Sequence, residues 1–390
     1  MRLRKNIWKI AKLNKVVSVV NGSTPKGIET ATAKGEYPFL RVSDMNLEGN
    51  EVYINKYNIS LSQIDIAKFK VKLYPKNTII FPKRGASIHT NKKRILQKDS
   101  GIDLNTMGFI AGNKIDFYFL FTWFQTVDLK TISDGSYIPQ INSRNIEGIH
   151  IPLPPLSEQK QIASLFQSIE TAMEQVDGQE KNLHLLKHKL LKDLFSEKQE
   201  LGNHLKAKDF ETVRFEKIAI NISERVEPKK TALTTYVGLE HLDADNLRIE
   251  RTGTPDDVIG TKLKIYKGDI IFGKRRAYLR KVAVSHFDGI ASAHSMILRA
   301  NEKHIEKEFL PYFMQSDTFM SRAVQISEGS LSPTIKNKTL AVQEFILPKK
   351  EKQKEFISVF QQFDTTMEQL KQQKITLKNL KQKLLNEILG

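Results

Sequence analysis

The second half of this chain repeats the first, and no other feature of the sequence limits the possible folds as much. Leu153-Pro154 through Gln159-Lys160 returns 194 positions later as Leu347-Pro348 through Gln353-Lys354, and the match runs on without a gap. Phe166 meets Phe360, Met173-Glu174-Gln175 meets Met367-Glu368-Gln369, and Leu183, Leu186, Leu190 and Leu191 meet Leu377, Leu380, Leu384 and Leu385. Upstream, Gly135-Ser136 and Pro139 meet Gly329-Ser330 and Pro333 at the same shift, while Ile79-Ile80-Phe81-Pro82-Lys83-Arg84 answers Ile270-Ile271-Phe272-Gly273-Lys274-Arg275 at a shift of 191. Trp8 through Leu13 pairs only loosely with Val213 through Ile218. Each half is thus a variable globular domain of roughly 150 residues followed by a helix of more constant pattern. The expected boundaries are 1–150 and 199–345 for the globular parts, and 151–198 and 346–390 for the helices.

The helices announce themselves by spacing. Ile162, Phe166, Ile169, Met173 and Val176, then Leu183, Leu186, Leu190 and Leu194, advance in steps of three and four apart from one polar interruption, which places them on one coiled-coil stripe. The second copy gives Phe356, Phe360, Phe363, Met367, Leu370, Leu377, Leu380, Leu384 and Ile388. Pro152, Pro154 and Pro155 discourage an earlier start; Ser157 suits the cap of the first helix and Glu351 that of the second. A helix over Ser157 to Ser196 would be about 60 Å long. The alternative is a helical hairpin broken at Asp177-Gly178, but the counterpart Lys371-Gln372 carries no breaker. The stripes are best buried if the second helix returns antiparallel to the first. The fold class expected is therefore α+β: two mixed α/β globular domains separated by two long antiparallel coiled-coil helices, a tandem repeat with pseudo-two-fold symmetry.

Composition narrows the partners. Lys and Arg number 61 against 44 Asp and Glu, a net charge of +17, so a polyanion is the natural partner. The chain has no Cys, which removes disulfides, thiolate zinc sites and thiol nucleophiles and suits a reducing cytoplasm. No apolar stretch approaches the roughly 18 residues of a membrane span, and Met1 to Ile10 lacks the apolar core of a signal peptide. A cytoplasmic protein with no membrane role is expected.

Each globular part places a basic cluster directly after a short apolar strand. In the first, Lys83 and Arg84 are followed by Lys92, Lys93 and Arg94, with Ser87, His89 and Asn91 interleaved; in the second, Lys274, Arg275 and Arg276 are followed by Tyr278, Arg280 and Lys281. Such side chains can hold phosphates, Arg can read guanine with two bonds, and Asn can read adenine. A second candidate surface is Ser133 to Arg144, with Ser136, Gln140, Asn142 and Arg144, answered by Ser327 to Lys338, with Ser330, Thr334, Lys336 and Asn337. Its small and polar residues suit a loop that approaches a backbone closely. The aromatic run Phe117 to Phe124 tempts a base-stacking assignment, yet its counterpart Phe309, Tyr312 and Phe313 has the spacing of a helix packed inward.

Catalytic signatures are missing. Gly268 to Lys274 spells most of a P-loop, but Arg275 stands where a magnesium-binding Ser or Thr belongs. No HExxH pair, G-x-S-x-G elbow or Asn/Asp-Pro-Pro-aromatic tetrapeptide occurs, and His184 and His188, four apart on a long helix, fit a solvated flank better than a metal site. No catalytic residue and no metal ligand is expected.

The order domain, helix, domain, helix, with Leu153-Pro154-Pro155-Leu156-Ser157-Glu158-Gln159 at the first junction, resembles the specificity subunit of type I restriction-modification systems. Trp8 to Pro25, Phe39 to Asp44 and Gly268 to Lys274 carry the resemblance too; the second junction, Lys349-Lys350-Glu351-Lys352-Gln353, departs from it. The resemblance implies that each globular part is a target-recognition domain for one half of a split site in double-stranded DNA, and that the helices fix the spacing. It also implies two modification subunits that methylate adenine with S-adenosylmethionine, and translocating restriction subunits. S-adenosylmethionine, ATP and Mg would then belong to partners, with no cofactor in this chain. The rival expectations are a DNA methyltransferase or nuclease with an unrecognised catalytic motif, and a coiled-coil DNA adaptor indifferent to sequence.

Overall fold

The computed structural model describes residues 5, 8–31, 35–196 and 205–390, which fall into two compact units. Residues 197–204, where the expected boundary between the first helix and the second globular part falls, lie outside the described residues. One unit is Met1–Val176 with Gln373–Gly390, the other Asp177–Gln372, so each joins one globular part to one end of both long helices.

In chain order the first globular part contains β1 (Lys9–Lys12), β2 (Val17–Asn21), β3 (Tyr37–Leu40), β4 (Tyr53–Ile54), β5 (Ile59–Leu61), α1 (Gln63–Phe69), β6 (Ile79–Pro82), β7 (Arg94–Leu96), β8 (Gly101–Ile102), β9 (Thr106–Ala111), α2 (Phe117–Phe124), α3 (Ser143–Glu147) and β10 (His150–Leu153). The helix α4 (Leu156–Leu194) follows. The second contains β11 (Phe210–Arg214), α5 (Phe215–Ile218), β12 (Ala219–Ile222), β13 (Arg225–Val226), β14 (Tyr236–Val237), β15 (Lys262–Ile265), β16 (Ile270–Phe272), β17 (Val282–Val284), β18 (Gly289–Ala291), β19 (Met296–Ala300), α6 (Phe309–Gln315), α7 (Asp317–Gln325), α8 (Asn337–Ala341) and β20 (Glu344–Pro348), then α9 (Lys350–Leu389).

The repeat in sequence is a repeat in topology. The first unit has a five-stranded sheet ordered β2-β9-β6-β7-β4, and the second a four-stranded sheet ordered β12-β19-β16-β17, the same order less one edge strand. A parallel pair, β3 with β8, recurs as β14 with β18, and the antiparallel ribbon β1-β10 recurs as β11-β20. Ile79 to Pro82 and Ile270 to Phe272 form these central strands because their apolar side chains are buried on both faces. The aromatic run is core: every residue from Tyr118 to Phe124 is buried, and Asp116 starts the helix by accepting the N–H groups of Tyr118 and Phe119 at 2.9 Å.

The ribbon leads straight into each long helix, and one glutamine fastens the junction. Gln159, fully buried, accepts the Asp116 N–H at 2.8 Å and donates to the carbonyls of Pro154 at 2.8 Å and Lys114 at 3.2 Å. Gln353 repeats this, accepting the Glu306 N–H at 2.8 Å and donating to Pro348 at 2.9 Å.

Helix α4 begins at Leu156, one residue before the expected start, because the Pro155 carbonyl already accepts the N–H groups of Glu158 and Gln159. Ser157 and Glu351 therefore lie inside their helices and do not cap them. Gly178 does not break α4; a side chain there would meet nothing within 4 Å, and one exposed glycine costs a 39-residue helix only about 1 kcal/mol. Within each unit the helices pair antiparallel. Ile162 and Phe166 share a core with Leu385, Ile388 and Leu389 in the first, and Leu191 and Leu194 share one with Phe356 and Phe360 in the second.

The expected stripe fails at one position in both copies. Leu186 and Leu380 are 57% and 42% exposed, and the next residue turns inward in their place. Lys187 reaches the Asp364 carboxylate at 2.6 Å and lies over the Tyr312 ring, while the Tyr312 hydroxyl donates to the other Asp364 oxygen at 2.7 Å. At the matching positions Lys381 pairs with Glu170, near the buried Tyr118. Burial, reinforced by these carboxylates, pushes both tyrosine hydroxyls well above their ordinary pKa, so both stay protonated.

Candidate nucleic-acid interface

The two stretches singled out in each globular part are far apart in sequence but become neighbours. Past β6 the chain leaves the core through Lys83-Arg84-Gly85, and the loop preceding α3 lies beside it: the Gly85 N–H donates to the Pro139 carbonyl at 2.8 Å and the Ile141 N–H to the Lys83 carbonyl at 2.9 Å, with Arg84 bridged to Gln140. Past β16 the second unit makes the same stitch. The Arg276 N–H donates to Pro333 at 2.7 Å, the Ile335 N–H to Lys274 at 3.0 Å, and Arg275 bridges to Thr334. Basic strand exit and polar loop thus form one surface in each unit.

On the first surface Arg84, His89, Ser136, Asn142 and Arg144 are exposed, and Lys83, Ser87, Lys92 and Gln140 half-buried. Lys83 donates to Asn21 at 3.0 Å, Lys92 to Asn46, and the Ser87 hydroxyl to the Arg84 carbonyl at 2.8 Å. Asp134 shapes the loop by accepting the N–H groups of Gln140 and Ser136 and the Ser136 hydroxyl, bonds that hold its carboxyl below the usual range. On the second surface Arg276, Tyr278, Ser330, Lys336 and Asn337 are exposed and Lys274, Arg275 and Thr334 half-buried; Lys336 pairs with Glu328 at 2.6 Å. Partial burial lowers the ammonium pKa of both Lys83 and Lys274.

Five of the expected contacts are instead engaged in holding the scaffold. Lys93 is 1% exposed, donating to the Asn91 side chain at 2.7 Å and the Val127 carbonyl at 2.6 Å, so it has no free path to a phosphate; burial pushes its pKa down to about 8. Asn91, left-handed at φ 52°, spends its side-chain oxygen on Lys93 and on the Leu129 N–H. Arg94 donates to the carbonyls of Lys93 and Met45. Arg280 is clamped by Asp245 at 2.7 Å and Asp317 at 3.0 Å, and Lys281 donates to the Leu239 carbonyl. In sequence these look like their exposed neighbours, because a run of cations does not reveal which face each one takes.

His294, in the turn between β18 and β19, joins the second surface although no motif or spacing singles it out. Its Nε2 accepts from the Arg275 guanidinium at 3.3 Å, and burial, with Arg275, Lys274 and Lys262 nearby, lowers its pKa. A neutral imidazole that accepts on Nε2 carries its proton on Nδ1, so the pair offers a fork of donors beside a single donor. Nineteen residues separate the two, with no periodicity to connect them. His188, by contrast, sits 3.2 Å from Asp317, and among the described residues no three of His, Asp and Glu stand together as a metal would require. No helix among the described residues is long and apolar enough to cross a membrane.

Comparison with known proteins agrees with this architecture. The type I restriction enzyme MjaVIII specificity subunit of Methanocaldococcus jannaschii is 23% identical over 407 residues, covering 98% of this chain and 92% of its own length. The EcoDI specificity subunit of Escherichia coli is 24% identical over 422 residues, covering 97% and 87%. The solved S subunit of a type I restriction-modification system from M. genitalium superposes with a TM-score of 0.60 at 16% identity, covering 99% of this chain and 97% of that one. A chain solved for complex assembly and conformational transition of the type I R-M system gives 0.59 at 16% identity, with 97% of each covered. The family model described as "Type I restriction modification DNA specificity domain" matches residues 6–183 and 235–379, well over half of the chain. The chain therefore belongs to the type I restriction-modification DNA specificity family, and its role is that of a DNA-recognition specificity subunit.

Proposed function

We propose that the chain reads a split site in double-stranded DNA, one half with each globular part (1–150 and 199–345), and has no catalytic centre of its own. The observation that carries this is the duplicated stitch, which presents the same backbone platform twice with different side chains: Arg84, Gln140 and Arg144 on one, Arg275, Thr334 and Lys336 on the other. Equal platforms suit equal phosphate backbones, and unequal side chains suit unequal half-sites. Methylation of adenine from S-adenosylmethionine, and ATP- and Mg-dependent cleavage, would come from partners: two modification subunits, and restriction subunits, in the cytoplasm.

Binding should be strongly salt-dependent. With six to ten phosphates contacted, affinity falls by about 10³ to 10⁵ between 50 and 200 mM salt. Incubating the purified chain with DNA and labelled S-adenosylmethionine, with and without modification subunits, tests the division of labour; methyl transfer by the chain alone defeats it. Sequencing the methylated adenines of a host carrying the full system gives the site, and a continuous site in place of two separated halves contradicts the two-platform model.

A further inference from the structure

The two most exposed large apolar side chains among the described residues are Tyr137 and Leu331, at 102% and 90% exposure, and they occupy the same position of the repeat, 194 residues apart. Each tops the loop stitched to a basic strand exit. Gly135 and Gly329, at φ 69° and 103°, turn the chain just before them, and both loops are closed at the base: the Asp134 N–H donates to Gln140 at 2.9 Å, and Glu328 and Thr334 exchange backbone bonds at 3.1 and 2.9 Å. Single exposed apolar residues are ordinary on a protein surface; here the two most exposed recur at one position of the repeat, each held out on a braced loop, and it is that recurrence that asks for a partner.

We propose that these tips enter the bound duplex, and that Tyr137 and Leu331 each press against a base step, one in each half-site. This rests on the DNA-reading function proposed above and adds how each platform engages bases. The surroundings favour DNA over a protein partner. Arg84 and Arg144 accompany one loop and Arg275 and Lys336 the other, whereas the core of a protein interface is depleted of charge. A cationic platform that grips the backbone while an apolar residue unstacks bases is a known physical route to a kinked duplex. Tyr137 can stack on a base and Leu331 can only wedge, so the two half-sites would be engaged unequally.

The test uses the full chain assembled with its modification subunits, and duplexes carrying the methylated site recovered from the host, with 2-aminopurine substituted in turn at each step. Binding by the native protein should raise the fluorescence several-fold at one step in each half-site. Tyr137→Ala should abolish the rise in one half-site only and weaken binding by about five- to a hundred-fold, Tyr137→Phe should restore it, and Leu331→Ala should affect the other half-site. Tight, selective binding with no rise at any step overturns insertion while leaving the DNA-reading function intact. Tyr137→Ala protein that binds DNA normally but fails to join the modification subunits makes the tip a protein contact and also overturns it. Native protein that does not distinguish the recovered site from a scrambled duplex defeats the proposed function itself.

Discussion

Arg276 is a bulky residue in a conformation that favours glycine. Its φ is 58°, and its counterpart across the repeat is Gly85, at φ 71°. Left-handed backbone costs a residue with a Cβ about 1–2 kcal/mol, and a non-glycine residue held there is more often kept for its side chain than for the fold. Arg276→Gly should therefore stabilise the protein by about 0.5–1 kcal/mol, after the extra freedom glycine brings to the unfolded chain. Its DNA binding should weaken at the second half-site alone, and the salt slope should fall by about one. Urea melts and anisotropy titrations on duplexes altered in one half at a time check both parts; lost stability, or equal weakening at both halves, contradicts it. Lys93 gives a prediction of the opposite kind. Its folded pKa of about 8 lies below the 10.5 of a free lysine. Between those values the unfolded state holds the proton and the folded state has released it, so stability rises with pH there, by on the order of 3 kcal/mol. Lys93→Met should lack that rise. The measurement is the difference between the two proteins' unfolding free energies across that range, and parallel curves sink the assignment.

Among the elements, the most informative are the long helices and the ribbons that feed them. Gln159 and Gln353 fall in the most obviously repeated stretch of the sequence, yet a repeated glutamine says nothing about its partners until the backbones of Lys114, Asp116 and Glu306 are in place. Removing either side chain strands buried backbone groups. Gln159→Ala and Gln353→Ala should each cost about 1–3 kcal/mol, seen as a lower urea midpoint, and the double variant should cost close to the sum because the two junctions lie in different units. Gly178→Ala should move stability the other way by about 1 kcal/mol, since nothing obstructs a methyl group there and the helix is already continuous. Helix existence, partnering and near-complete extent were legible from apolar spacing. The inward turn to Lys187 and Lys381 was not, because a leucine beside a lysine fits the stripe better until the facing carboxylates of Asp364 and Glu170 are known.

For the molecule as a whole, the duplication made the architecture readable, whereas the way each candidate surface is assembled was not. Backbone stitches such as Gly85 to Pro139 involve no side chain, so composition and spacing carry no trace of them, and His294 meets Arg275 only through the fold. The spacing role that the resemblance implies for the helices can be tested without knowing the target bases. The helix is one unbroken element whose first part belongs to one unit and whose last part belongs to the other. Four residues inserted within Lys181–Lys189 lengthen it by about 6 Å and keep its faces nearly in phase; four more in the equivalent stretch Ile375–Lys383 let α9 keep pace. At about 3.4 Å per base pair, such a variant should methylate adenines in the same two half-sites with one to two base pairs added between them. Sequencing methylated adenines in cells carrying the variant reads this directly. An unchanged gap would separate the spacing of the site from the length of the helices, and altered half-sites would show that the helices bear on the reading itself.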